Sequence, residues 1–350
     1  MSEGKVIEKV IFIAPSKPSF VQTDIEILNQ KYNVVENVYD WPRKLLNPFF
    51  FVGQFIFLSA NILSTKAIFC SFGGYWSILP SIFGKLFAVP SYVIVQGTDS
   101  CAIPAIDYGV LRRRLARHSC AIPYYLSTRI LPVSSSLIWS ENEYCSDVVG
   151  TQGVKFHFPN LPTPFTTIPY GFANDFWIPD SSIERDIDFI TVMAKGQFKR
   201  RDGGMILQMA EYFSKKQFVI VGDIPLPESL PHNVRLVDLV PPNELRGLFQ
   251  RSAFFVQLSL YEGFGCALAE SMLCGCVPIV SAVNEMPHIV GRSGFVLRKR
   301  SFQELQKLTS EALENINLSQ LSVDVRNRII EKYQITARQK AFETLIEDPY

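Results

Sequence analysis

The stretch Ser259-Leu-Tyr-Glu262-Gly263-Phe264-Gly265-Cys266-Ala-Leu-Ala-Glu270-Ser-Met-Leu-Cys-Gly275-Cys-Val-Pro278-Ile-Val-Ser281 predicts a loop, a helix and a strand, in that order. The apolar run Ala253-Phe-Phe-Val-Gln-Leu258 before it predicts a buried parallel strand by composition and length. Gly263 and Gly265 let the backbone turn sharply and approach a ligand closely. A helix is expected from about Gly265 to Gly275, a residue suited to the left-handed position after a helix end. Cys276-Val-Pro-Ile-Val-Ser281 then predicts the next strand. The first turn of such a helix leaves backbone N–H groups unpaired, and its dipole favours an anion. Its start is therefore a candidate diphosphate seat. Glu262 sits in the loop and Glu270 about a turn and a half inside the helix. Carboxylates repel phosphate, so both are expected to bind something else, most simply sugar hydroxyls.

The E-x7-E spacing, the Glu-Gly-Phe-Gly core and the following Gly-Cys-Val-Pro strand resemble the donor site of GT-B glycosyltransferases. The resemblance is to the large retaining group called family 4, or group 1. It implies a fold class of α/β with two doubly wound, Rossmann-like parallel-sheet domains facing across a cleft. It also implies transfer of a sugar from a nucleotide-diphosphate sugar to an acceptor hydroxyl, with retention of configuration. On this resemblance Glu270 holds ribose hydroxyls and Glu262 the hydroxyls of the donor sugar. Gly263, Phe264, Gly265 and Cys266 form the donor loop, and domain closure excludes water from the donor.

Length and composition agree with that outline. A chain of 350 residues is long enough for two domains with separate cores. A net charge of +1 gives no bulk attraction to nucleic acid. Seven scattered cysteines, an odd number without paired metal spacing, and no signal peptide predict a reducing cytoplasm. Cys274-x-Cys276 spans a helix end and a strand start and is read as packing.

Strands and helices alternate along the first part of the chain, which predicts a doubly wound parallel sheet. Expected strands are Val6–Ala14, Tyr32–Glu36, Ala67–Phe72 and Ser91–Gln96; expected helices include Asp24–Gln30 and Ile78–Phe87. Ligands of such sheets sit at the carboxyl ends of strands. Three loops meet that description: Ser16-Lys17, Gly73-Gly74-Tyr75 and Gln96-Gly97-Thr98-Asp99. The last resembles the family's His-Gly-x-Asp loop, which makes Asp99 a candidate catalytic residue. Gln96 replaces the histidine, and glutamine can hydrogen-bond but carries no proton or charge at neutral pH. Leu45 to Leu63 is nearly long and apolar enough to span a bilayer. Asn47-Pro48 reads there as a helix cap and first helical residue, and Gln54 and Asn61 share one face. The expected outcome is a helix buried in the first domain or dipped partly into a membrane surface. Arg112-Arg113-Arg114-Leu-Ala-Arg117-His118 is either a solvated face or an attraction for anionic lipid.

The segment Thr167 to Trp177 resembles the family's linker between domains. The expected division is therefore 1–168 for the acceptor side, 169–334 for the donor side, and 335–350 for a helix crossing back to the first domain. Asp186-Ile-Asp188 has a metal-binding spacing, but it leads into a strand start, so no metal is expected. Lys195 to Gly203 follows that strand and resembles the family's Arg…Lys pair that grips the donor diphosphate. Lys195 is assigned there as catalytic, with Lys199, Arg200 or Arg201 as second cation; cations beside the leaving phosphate act without metal. Asn243 is expected to cap a helix. His288 is given no role. No cofactor beyond the donor substrate is expected. The partners are the donor, a glycan, lipid-linked sugar or other hydroxyl acceptor, and a peripheral membrane contact at the cytoplasmic face. A nucleotide-sugar epimerase and a non-catalytic partner of the same fold are the alternatives.

Overall fold

The computed structural model describes residues 7–41, 43–224 and 230–349. The chain divides into two compact units. One comprises residues 1–140, 152–171 and 335–350, the other 141–151 and 172–334. Residues 141–151 thus belong with the second unit.

The first unit begins with β1 (Lys9–Ala14), whose residues from Val10 onward are fully buried, and α1 (Ser19–Asn29). β2 (Asn33–Val38), α2 (Asn47–Asn61), β3 (Thr65–Ser71), α3 (Ile78–Leu86), β4 (Ser91–Val95), α4 (Arg114–Leu126) and β5 (Arg129–Pro132) follow. Helix α1 starts at Ser19, earlier than the sequence predicts, because Pro18 is extended and its carbonyl accepts the first turn's amides. All strand pairs are parallel, in the order β2-β1-β3-β4-β5. Such crossovers are right-handed. The steps β2→β3, β3→β4 and β4→β5 run in one direction, so α2, α3 and α4 share one face of the sheet. The step β1→β2 runs the other way and puts α1 on the opposite face.

Two short strands, β6 (Ser140–Glu141) and β7 (Thr151–Gln152), pair separately, and α5 (Val154–His157) is a single turn. The second unit contains β8 (Ile187–Met193), α6 (Gly203–Tyr212), β9 (Phe218–Gly222), β10 (Val234–Val237), α7 (Pro242–Gln250) and β11 (Ser252–Gln257). It continues with α8 (Cys266–Leu273), β12 (Val277–Ser281), α9 (Met286–Val290), β13 (Phe295–Leu297), α10 (Phe302–Leu313) and α11 (Leu318–Lys332). Its sheet has the order β10-β9-β8-β11-β12-β13, with parallel pairing throughout. Helix α7 is entered through Pro241 and Pro242, and Asn243 is not its cap as predicted. Proline serves because its fixed φ suits the first helical turn and its missing N–H has no partner to lose there.

The last helix, α12 (Ile335–Glu347), belongs to the first unit. Arg338 is 2% exposed and clamps Asp24 of α1 through Nε at 2.6 Å and Nη2 at 2.7 Å. Its Nη1 donates to the carbonyls of Ile168 and Pro169. Phe342 packs on Phe69 of β3.

Of the two outcomes expected for α2, full burial in the first unit is not the one found. Only Gln54 and Leu58 are buried on it. Its cap is Leu46, and Asn47 is already helical, with no side-chain cap bond. Gln54 donates to Asn37 Oδ1 at 3.1 Å and to the Trp76 carbonyl at 2.9 Å. Lys9 donates to Asn61 Oδ1. The shared polar face therefore points into the unit.

Candidate active site

In each sheet the chain reverses its direction of growth at one place, between β1 and β3 in the first unit and between β8 and β11 in the second. The loops leaving the carboxyl ends of the strands diverge there, which opens room for a ligand.

In the second unit those loops are 194–202, after β8, and 258–265, after β11. Gly265 sits at the start of α8 with φ of 113°, a region that an L side chain avoids. No side chain caps this helix, and Gly275 beyond its end also has positive φ. Glu262 is 8% exposed and sits in a nest of donors. Its Oε2 accepts from Arg200 Nη1 at 2.9 Å, Gln257 Nε2 at 3.0 Å and Ser259 Oγ at 3.3 Å, and it lies 3.2 Å from Arg201 Nη1. Its Oε1 accepts from the Gly263 amide. Burial pulls the Glu262 carboxyl upward, but Arg200 and Arg201 outweigh it and hold it below the usual carboxylate range. Arg200 also donates to the Tyr261 carbonyl, which ties the two loops together.

Arg200 and Arg201 are both turned onto Glu262. The Arg200 guanidinium, one of the three candidates for the second cation, compensates the buried Glu262 carboxylate. Lys199 is exposed. Lys195, also exposed, lies 3.7 Å from Asp223, which follows β9. An exposed pair at that distance is weak and leaves the ammonium able to turn to another anion. Glu270 is half-buried in α8, and burial raises its carboxyl to about 7. The Phe264 ring is buried against Phe172 and Tyr333. Cys266 opens α8 and is half-buried.

Two contributors were missed in the sequence. Asn284 has φ of 48° and accepts the Glu262 amide at 3.0 Å; asparagine tolerates that left-handed conformation, which was the available signal. Gln257 ends β11 and faces Glu262, a role with no local signature. Asp186 and Asp188 are engaged at the amino end of β8, with Arg251 and with Lys216 plus the Gln217 amide respectively.

In the first unit, a cavity of about 260 Å³ lies at the reversal point, lined by Pro15, Phe72, Tyr75, Trp76, Asp99 and Val110 among others. Asp99 is fully buried. It accepts from the amides of Gly73 at 2.8 Å, Gln96 at 3.1 Å and Gly97 at 3.1 Å. The Tyr124 hydroxyl donates to the Asp99 carbonyl at 2.8 Å. Asp99 thereby ties together two loops around the cavity that it lines. Gln96 donates to Ser71 Oγ, while its Oε1 is buried without a hydrogen-bond partner.

Solved structures share the fold over nearly the whole chain. Sucrose-phosphate synthase (tll1590) from Thermosynechococcus elongatus superposes with a TM-score of 0.72 at 13% identity, covering 98% of this chain and 99% of that one. The class is thus the GT-B fold. Residues 194–315, which hold Lys195, Lys199, Arg200, Glu262 and Glu270, match the family model described as Glycosyl transferases group 1. The O-antigen chain mannosyltransferase B of Escherichia coli is 38% identical over 63 residues, 18% of this chain and 16% of that protein. A GDP-mannose:cellobiosyl-diphosphopolyprenol alpha-mannosyltransferase of Xanthomonas oryzae pv. oryzae is 43% identical over 51 residues, 15% of this chain and 13% of that protein. These alignments span less than a fifth of the curated relatives.

Proposed function

We propose that the chain is a glycosyltransferase that moves a sugar from a nucleotide-diphosphate sugar to an acceptor hydroxyl, with retention and without a metal ion. The observation that carries this reading is the Glu262–Arg200–Arg201 cluster immediately before the uncapped start of α8, with Glu270 inside that helix. Five residues from Gly265 place Glu270 about 7.5 Å along the helix axis. That spacing suits a diphosphate at the amides and a ribose at the carboxylate. Lys195 and Lys199 supply charge to the departing diphosphate, and charge stabilisation of this kind is commonly the largest catalytic contribution. Glu262, kept ionised by its arginines, accepts hydrogen bonds from the sugar. In the first unit the aromatic cavity receives the acceptor, and Asp99 shapes it.

GDP-mannose is the first donor to test, since one relative is named for it. Thermal shifts with UDP, GDP, ADP, TDP and CDP in EDTA test the site. A nucleotide at about 100 times its dissociation constant should stabilise the protein by about 2.7 kcal/mol. The expected result is one stabilising nucleotide and loss of most of that effect in Glu270→Ala. Stabilisation by none overturns the reading. Gln96 in place of histidine favours a non-catalytic alternative, which nucleotide binding without transfer to any acceptor would support.

A further inference from the structure

A helix on a water-facing surface normally turns its apolar residues inward. Helix α2 buries Leu58 and packs Phe50 and Phe51 on Trp41, and it still leaves a second apolar side exposed. Its inner side carries the hydrogen-bonded Gln54. Its outer side carries Phe49 at 73% exposure, Ile56 at 62%, and Val52 and Phe55. The neighbouring helices on the same face extend this surface. Leu86 and Phe87 stand out at the end of α3, and Leu115, at 85% exposure, together with Ile122 and Tyr125 on α4. An apolar surface of this extent marks a binding face.

The charges identify what covers it. None of α2, α3 and α4 contains an aspartate or glutamate. Lys85, Arg114 and Arg117 lie within them, and Arg113 directly precedes α4. Arg113 and Arg114 are exposed, whereas Arg117 donates to the His157 carbonyl. A second copy of this chain would oppose cation to cation. Basic side chains beside apolar ones instead match an anionic lipid surface, where acyl chains meet the phenylalanines and phosphates meet the arginines. With the turn Ile62–Ser64 the helix is long and apolar enough to cross a bilayer. Its bonds through Gln54 and the burial of Leu58 hold it flat against its own unit instead.

We infer that the α2–α3–α4 face docks on an anionic membrane surface, independently of the donor site. Tyr75 lines the aromatic cavity and also packs on Trp41, which packs on Phe50 and Phe51 of α2. The inner side of α2 is thus packed through Trp41 onto one wall of that cavity.

Flotation of the full chain with phosphatidylcholine vesicles, with and without phosphatidylglycerol, tests this. Binding is expected only with the anionic lipid, and it should fall sharply at about 1 M salt, where screening acts within about 3 Å. Arg113→Gln with Arg114→Gln should weaken it roughly thirtyfold, from about 1 kcal/mol per basic residue. Phe49→Glu with Ile56→Glu should abolish it while leaving the melting temperature and nucleotide-induced shift intact. Failure of the wild type to float overturns the inference. So does equal flotation of the variants, or a dimer in light scattering that the same apolar substitutions dissociate.

Discussion

Glu262 and Glu270 are separated by seven residues and live in opposite electrostatic settings. Two arginines keep the first ionised, while burial lifts the second to about 7. The Glu270 shift has a stability consequence. Its carboxyl titrates higher in the folded chain than in the unfolded one, near 4.5. Ionisation therefore opposes folding. The penalty is absent below about pH 4.5, grows as pH rises, and is complete above about pH 7. Solvent reaches part of this side chain, so the full penalty is about 1–2 kcal/mol. Glu270→Gln should thus be more stable than the wild type at pH 8 and equal to it near pH 4.5, while binding nucleotide less well. Melting curves across that range check the first outcome and nucleotide titration the second. The two glutamates were legible in the sequence because their spacing is local. The pairing of Arg200 with Glu262 was not, since they lie 62 positions apart and three neighbouring cations competed for one role.

At the scale of elements, the strand–loop–helix unit around α8 depends on one backbone conformation. Gly265 has φ of 113°, and a Cβ there would meet nothing nearer than Leu268 at 3.6 Å. Space is available, so the cost of Gly265→Ala is conformational, about 1–3 kcal/mol. The substitution should shift the start of α8 and weaken nucleotide binding more than it lowers the melting temperature. Isothermal titration beside calorimetry separates the two effects. The glycines, the buried strands β11 and β12 and the end of α8 follow from composition alone. Helix α2 was recognised as a helix but not oriented. Its apolar residues satisfy a buried helix and a membrane-facing one equally well, and only the bonds of Gln54 select the face.

At the scale of the whole molecule, the chain leaves the first unit after Gly171 and returns to it at Ile335. That unit is closed by Arg338, which is buried and makes four hydrogen bonds to Asp24, Ile168 and Pro169. Arg338→Met leaves the Asp24 carboxylate buried without its cation, which costs about 3–5 kcal/mol. Denaturant unfolding should show a lower midpoint for the first unit, with nucleotide protection of the second retained at low denaturant.

Local sequence carried the alternation of strands and helices and the glutamate pair, because hydrophobic period, glycine position and motif spacing act over a few residues, and the pair of sheets followed from the resemblance of that motif to a known family. Only the folded structure shows that Asp99 bonds two loops, that Arg200 and Arg201 pair with Glu262, that the Phe264 ring is core, and that α2 turns Phe49, Val52, Phe55 and Ile56 outward. Each of these depends on which distant side chain arrives to satisfy a buried charge or hydrogen bond, and no local pattern encodes that arrival.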